Sequence, residues 1–172
     1  KYADYTESGQ ILLKQSYVND LLDGASKEWY LNGKVKVKTS YTAGKLNGGF
    51  MSYDSLGRKE TKGEYEMGLK TGDWLTWYPS GKKKERLSYF SGKANGMYSL
   101  WDEEGRIIKE GEYSNDLKHG VWITFDPDLK RQESYEYYDM GVAKLKYFFK
   151  YYDNGNLMEE PSFTEYFRDG EW

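Results

Sequence analysis

Cysteine is absent from the 172 residues, which excludes both a disulfide framework and a thiolate metal site. The absence leaves the compartment open, because a chain without cysteine suits any redox environment. Histidine occurs once, at His119, so neither a Ser-His-Asp triad nor a histidine zinc site has a second candidate. No apolar run approaches the roughly 18 residues of a membrane span. The usual core formers are also scarce: Leu, Ile, Val and Phe together number 31, a share in the range where disorder is suspected. Two features argue against disorder here. The net charge is only -3, so the chain repels itself little. Aromatics make up 18% of the residues, with 18 Tyr and 6 Trp, and such side chains bury large areas while keeping a polar tip for a hydrogen bond. The expectation is an ordered chain held by many thin aromatic contacts rather than by one thick aliphatic core.

The aromatics are periodic. Gly48-Gly49-Phe50-Met51-Ser52-Tyr53, Gly72-Asp73-Trp74-Leu75-Thr76-Trp77 and Gly96-Met97-Tyr98-Ser99-Leu100-Trp101 stand 24 residues apart and share Gly-x-aromatic-x-x-aromatic. The step continues to Gly120-Val121-Trp122-Ile123-Thr124-Phe125, and backward to Gly24 and Trp29 with Ser26 in the middle slot. A second glycine follows at Gly33, Gly57, Gly81 and Gly105, with Gly9 before them. A third aromatic comes eight residues later, at Tyr17, Tyr41, Tyr65, Tyr89, Tyr113 and Tyr137, and a further glycine at Gly44, Gly68 and Gly92. The last copy fits after a two-residue insertion at 142–146; it then supplies Phe148, Tyr151, Gly155, Phe163 and Gly170, and Trp172 opens another. A fixed period of this size is the signature of a repeat architecture.

Each copy reads as two strands. The first carries two aromatics, as in Trp74 to Tyr78, and ends in a turn such as Leu31-Asn32-Gly33 or Pro79-Ser80-Gly81. Glycine supplies positive φ there, and Asn-Gly or Ser-Gly signals a hairpin. The second strand is charged, as in Lys82 to Tyr89, and a second turn such as Asn47-Gly48 or Asn95-Gly96 closes the copy. Pro79 and Pro127 lie in turns, while Pro161 falls in a strand slot and marks a local break. The first two aromatic slots are three residues apart. Either they face opposite sides of a regular strand, or a bulge brings them together. The fold class expected is all-β: an elongated single-layer meander of tandem 24-residue β-hairpin repeats. About seven units fill a single repeat domain over 1–172, with a register break near 142–146. At about 4.8 Å per strand, seven copies extend roughly 65–70 Å.

The unit from Gly72 to Gly96, Gly-x-Trp-x-x-Trp-Tyr-x-x-Gly-Lys followed by Tyr-x-x-Gly-x-x-x-Gly, resembles the MORN-repeat variant found in many bacterial proteins. The resemblance runs over essentially the whole chain and implies the fold. For function it implies attachment. Proteins like this are often labelled antitoxin components of toxin–antitoxin modules. Eukaryotic MORN repeats are associated with membrane or protein attachment and accompany the kinase domain of some phosphatidylinositol phosphate kinases, whereas this chain has repeats only. It departs from the pattern at Leu129, in place of the turn glycine, at Asp20 and Asp116, in place of the late glycine, and at the insertion before Tyr147.

Candidate chemistry is thin. His119 shares its slot with Asp23, Asn47, Thr71 and Asn95, as a turn residue would. Asp102, Glu103 and Glu104 occupy slots held elsewhere by Asp54-Ser55-Leu56, which reads as a solvated turn. No phosphate-binding loop follows Gly81. The basic run Lys82-Lys83-Lys84 is followed at once by Glu85 in a chain of pI about 5.4, so no nucleic-acid partner is expected and charge lends membrane lipid no support. The ladder Tyr53, Trp77, Trp101, Phe125 and Tyr151 reads first as the packing spine between copies, and second as a stacking platform for sugar or peptide. Tyr135, Tyr138, Tyr147, Phe149 and Tyr152 are aromatics outside the repeat slots, gathered around the insertion. Interfaces favour Tyr and Phe, so these five are the candidate partner-binding residues.

The functional expectation is a non-enzymatic module that binds a protein partner, with a toxin as the instance the resemblance implies. The alternative is a cell-surface or periplasmic module that recognises lipid or glycan through exposed aromatics. No cofactor, metal ligand or catalytic residue is expected. Location is left open between the cytoplasm and export with a signal already removed.

Overall fold

A computed structural model describes residues 1–158. Pro161, Phe163, Gly170 and Trp172 lie outside the described residues. Among the described residues the chain forms an antiparallel sheet of fourteen strands, not closed into a barrel, in which thirteen strands follow one another in chain order. Lys45–Leu46 pairs with Val35–Thr42 as a short extension, and Tyr17–Val18 pairs with Leu21–Leu22 in a separate small hairpin. This is the all-β meander that the repeats predict. At about 4.8 Å per strand the row of thirteen spans roughly 58 Å.

Two turns alternate along it. Within a copy, Tyr78 N donates to Lys82 O at 2.9 Å and Gly81 N donates to Tyr78 O at 2.8 Å. The same two bonds close the turns that begin at Thr6, Tyr30, Asp54, Asp102 and Tyr152. Their glycines sit at φ of 80–86°, which only glycine adopts without strain. Between copies the turn falls four residues before the Asn47-Gly48 and Asn95-Gly96 sites expected from sequence. Two successive residues take positive φ at Ala43-Gly44, Met67-Gly68 and Ser91-Gly92, the hairpin turn matched to strand twist, while Asn95-Gly96 lies inside the strand Lys93–Trp101. Asn19-Asp20 and Asn115-Asp116 take the same conformation, so the two aspartates that stand in place of glycine keep the turn. Backbone bonds tie each of these turns to the one before: Gly68 N to Leu46 O, Gly92 N to Lys70 O, Asp116 N to Ala94 O.

Both faces carry aromatics, which resolves the choice left open by their three-residue spacing. Cross-strand register puts Phe50 opposite Gly63, Trp74 opposite Leu87, and Tyr98 opposite both Leu87 and Gly111 on one face. Met51, Lys62, Leu75, Arg86 and Ser99 follow one another on the other. The second aromatic slot belongs to this other face, since Lys38, paired with Met51, lies 5.5 Å over the Tyr53 ring.

The first face holds the core, in two equivalent clusters. Trp74 stacks on Phe50 at 5.5 Å and meets Tyr65 and Tyr89 edge-on at 5.0 and 6.2 Å. Forty-eight residues on, Trp122 packs on Tyr98 at 5.2 Å and meets Tyr113 and Tyr138 edge-on at 5.0 and 6.4 Å. Lys70 and Lys118 each cover both the indole and the outer tyrosine, at 4.3 to 4.8 Å. Trp122 is only 2% exposed and Trp74 7%. A single-layer sheet buries them because the backbone beneath is bare. Three residues, Gly72 to Trp74, stand opposite Gly63 in a wide bulge, and Gly120 to Trp122 stand likewise opposite Gly111. A Cβ on Gly63 or Gly111 would lie 2.3 Å from the indole carbons.

The alternation makes the structural period two copies. Gly-Glu-Tyr recurs at 63–65 and 111–113, Asp-x-x-Gly-Arg at 54–58 and 102–106, and Leu-Lys at 69–70 and 117–118. Eleven residues before Trp74 and Trp122 stands glycine; at that spacing before Phe50 and Tyr98 stand Thr39 and Leu87. The bulkiest ring is used where the strand beneath has no side chain.

The step length changes earlier than 142–146. Lys130, not Leu129, takes the left-handed position of the turn glycines, at φ 52°. Tyr138, not Tyr137, packs on Trp122 as Tyr89 packs on Trp74, and Gly120 pairs with Tyr138 where Gly72 pairs with Tyr89. One extra residue therefore enters in the turn at 127–130. A second enters between Gly141 and Tyr152, whose N–H closes the next turn onto Asn156 O.

Candidate interaction surface

The five aromatics singled out from sequence divide into three groups. Tyr135, Tyr147 and Phe149 come together: Tyr135 stacks on Tyr147 at 5.7 Å, and Phe149 meets the two rings at 6.0 and 5.6 Å. Phe149 then leads to Tyr151 at 6.5 Å, whose ring carries the Arg131 guanidinium at 4.1 Å. Tyr135 is 4% exposed and serves as the buried base of this group. Tyr138 lies on the core face against Trp122, and its hydroxyl donates to Glu136 Oε2 at 3.0 Å. Tyr152 stands apart in the last turn, half exposed to solvent.

The acidic turn residues are spent on holding turns. Asp102 Oδ1 accepts from Arg106 N at 2.8 Å, and Asp102 Oδ2 accepts from Arg106 Nε at 2.7 Å. Asp54 and Arg58 repeat the arrangement. Desolvation raises both carboxyls, but the bonds from Arg58 and Arg106 outweigh it and hold them below the ordinary range. A general acid needs the opposite shift, toward neutrality. His119 is not the turn residue that its slot suggests: it lies within the strand Leu117–Asp126, its backbone paired with Glu112, just before the Gly120 bulge, and the turn itself falls at Asn115-Asp116. Among the described residues no group of three or more His, Asp or Glu could hold a metal ion.

The face away from the core carries a feature that the sequence reading passed over. Register aligns Lys14, Lys27, Lys38, Met51, Lys62, Leu75 and Arg86 as one row across seven adjacent strands. Lys14, Lys38, Lys62 and Arg86 occupy one slot at 24-residue steps, so the signal was present in the sequence, and Glu110 ends it. Beside the row run the second-slot aromatics, half buried, each with a lysine over its ring. Lys27 lies 4.7 Å from Trp29, Lys59 5.9 Å from Trp77, and Lys83 5.8 Å from Trp101. The ladder Tyr53, Trp77 and Trp101 is thus a cation-bearing surface row.

Two open depressions indent this face behind Gly63 and Gly111. The first, about 350 Å³, is lined by Lys38, Gly49, Met51, Lys62, Gly63 and Glu64 among others. The second, about 340 Å³, is lined by Met97, Glu110, Gly111, Glu112, Val121 and Ile123. Their positions correspond at 48 residues, with Glu110 in place of Lys62. One backbone shape therefore presents two chemistries, basic toward the N-terminal end and acidic and apolar farther along.

A family model described as a MORN repeat variant matches residues 22–43 and 70–90. Over those stretches the chain is similar to that family. The two matches begin 48 residues apart and fall on the copies that carry Trp-Tyr-x-x-Gly-Lys, at 29–34 and 77–82, which is the alternation seen in the core. No curated protein matches the chain.

Proposed function

We propose that the chain is a non-catalytic repeat module that binds a protein partner on the face opposite its aromatic core, with an antitoxin-like role toward a toxin as its finer form. The observation that carries this reading is the division of labour between the faces. One face buries Trp74 and Trp122, while the other exposes Met97 and Val121 at 44% and 40% beside a row of cations, on an open sheet. Repeat sheets of this kind offer long surfaces for association. Tyr147, Phe149 and Tyr152 are proposed as contacts at the C-terminal end, with Tyr135 as buried support and Tyr138 as part of the core.

The test is affinity capture with the full chain, followed by measurement of the mass of the purified complex. A stoichiometric protein partner supports the reading. A chain that stays alone while floating with lipid vesicles or binding a glycan array overturns it. That result would favour the second reading, a surface or periplasmic module acting through the aromatic row of Trp29, Tyr53, Trp77 and Trp101.

A further inference from the structure

Lys14, Lys27 and Lys38 stand directly opposite one another on three neighbouring strands, and Lys62 follows two strands on. Like charges directly opposite destabilise a sheet. Compensation was available, since the chain has 28 acidic residues. Farther along, Arg86 is met by Asp73 at 2.7 Å and Lys146 by Glu136 at 2.8 Å. Lys14, Lys27, Lys38 and Lys62 make no ion pair with a described residue. Lys27 and Lys38 are instead placed by Trp29 and Tyr53, whose rings support their ammonium groups. The fold carries this row of opposed charges with ring contacts at Lys27 and Lys38 and no carboxylate partner for the four lysines among the described residues.

Resting on the reading of a protein-binding module, we infer that the partner presents an extended acidic segment, which crosses the strands from Lys14 to Lys62 and seats a side chain in the depression between Lys38 and Lys62. The row spans four strand spacings, roughly 19 Å, which about six extended residues cover. Gly49 leaves one side of the depression without a side chain, and Met51 adds an apolar group to its lining. Glu64 stands beside Lys62 on the same strand face and lines the same depression. A continuous polyanion, such as a nucleic acid or an anionic membrane, would meet that carboxylate together with the lysines. A peptide sets discrete carboxylates against the lysines and leaves Glu64 facing a neutral position.

The experiment uses the full chain and a fluorescein-labelled octaglutamate, followed by anisotropy at low and at physiological salt. Octalysine, an oligodeoxythymidylate of matching length and phosphatidylserine vesicles are run beside it. Saturable, salt-sensitive binding of octaglutamate is expected, with no binding of octalysine at the row. The triple variant Lys27→Glu, Lys38→Glu, Lys62→Glu should lose at least about tenfold in affinity, as charge-pair losses do. A neutral double variant, Lys27→Met with Lys38→Met, separates binding from folding. It should bind several-fold more weakly yet melt at or above the wild-type temperature, because the opposed charges are gone. No octaglutamate binding, binding indifferent to the triple variant, or oligodeoxythymidylate or vesicle binding that octaglutamate cannot displace would each overturn the inference. A partner captured equally by wild type and triple variant would remove the lysine row while protein binding stands. Octaglutamate binding without any stoichiometric partner would do the reverse.

Discussion

Adding one methyl group at Gly111 tests the structural account most directly. The Cβ of Gly111→Ala would lie 2.3, 2.5 and 2.7 Å from Trp122 ring atoms, closer than real Cβ contacts come. The indole has nowhere to go. Trp122 is 2% exposed, its edges face Tyr113 and Tyr138, and its Nε1 donates to Glu112 O at 3.1 Å. Overpacking of this kind costs about 1–3 kcal/mol. Against it stands the gain of about 0.4–1 kcal/mol from a less flexible unfolded chain. Strain wins, with a net loss of about 1–2 kcal/mol, or about 3–6 °C in melting temperature for a chain of this size. The upper bound, reached if the ring is expelled, is about 3–5 kcal/mol. Gly49→Ala is the control, since it lies in a strand with nothing within 4 Å of its would-be Cβ and should be neutral or slightly stabilising. Thermal and urea unfolding, followed by tryptophan fluorescence and near-ultraviolet dichroism, read both variants. A Gly111→Ala chain that melts with the wild type, or a Gly49→Ala chain that falls as far, would refute the bare-strand explanation of the buried indoles. Pairing Gly111→Ala with Trp122→Tyr supplies the double-mutant cycle. Tyr98 stands over Leu87 at the equivalent place, so the smaller ring should recover part of the loss.

Other expectations follow from the same geometry. Lys130→Gly should stabilise by about 0.5–1 kcal/mol, since Lys130 holds a left-handed conformation, whereas Leu129→Gly should not; equal melting temperatures would place the extra residue elsewhere. The hydrogen bond from Ser88, with Arg86 beside it, holds the Asp73 carboxyl below its ordinary range. Its contribution is therefore complete above about pH 4 and is lost as pH falls through the lower folded value, so Asp73→Asn should flatten the acid limb of stability against pH. Burial, then the nearby Glu85 carboxylate, push the Tyr98 phenol up to about 12 from 10.0. Stability should be complete below that lower value and fall as pH rises through the upper one, less steeply in Tyr98→Phe; an identical alkaline limb in the variant would contradict the burial. Small-angle scattering should give a radius of gyration clearly above the roughly 16 Å of a compact chain of this length, and a value at that limit would contradict the extended sheet.

Much of the fold was legible because turns are local. A glycine at positive φ every 24 residues from Gly9 to Gly105, with Asn or Ser before it at Gly9, Gly33 and Gly81, dictates a hairpin whatever surrounds it. The copies with Asp20 and Asp116 keep the turn because aspartate tolerates the same conformation. The site was less legible. Tyr137 fills the expected slot by counting, yet Tyr138 occupies the core, because a turn absorbed one residue ten positions earlier and only strand pairing shows which turn did so. Tyr135 looked like a surplus surface aromatic; pairing with Ile123 and Tyr147 buries it. The lysine row had a sequence signal in Lys14, Lys38, Lys62 and Arg86, but Lys27 joins it from the other strand of a hairpin and is invisible to counting.

The sequence by itself determined that this chain is a repeat of hairpins and where nearly every turn within a copy falls, but not where the turns between copies fall, which lie four residues before the Asn-Gly sites that suggested them. The first two depend on φ preferences and on a period that shows when one copy is set beside the next. Tertiary structure alone decided that two copies, not one, make the packing unit, since a glycine and a tryptophan eleven residues apart acquire their relation only when one strand lies beside the next. It also decided which face is core and which is free. The two aromatic slots read alike along the chain, and only the bulged register turns one set inward over bare backbone and leaves the other outside, beside four lysines that make no ion pair with a described residue.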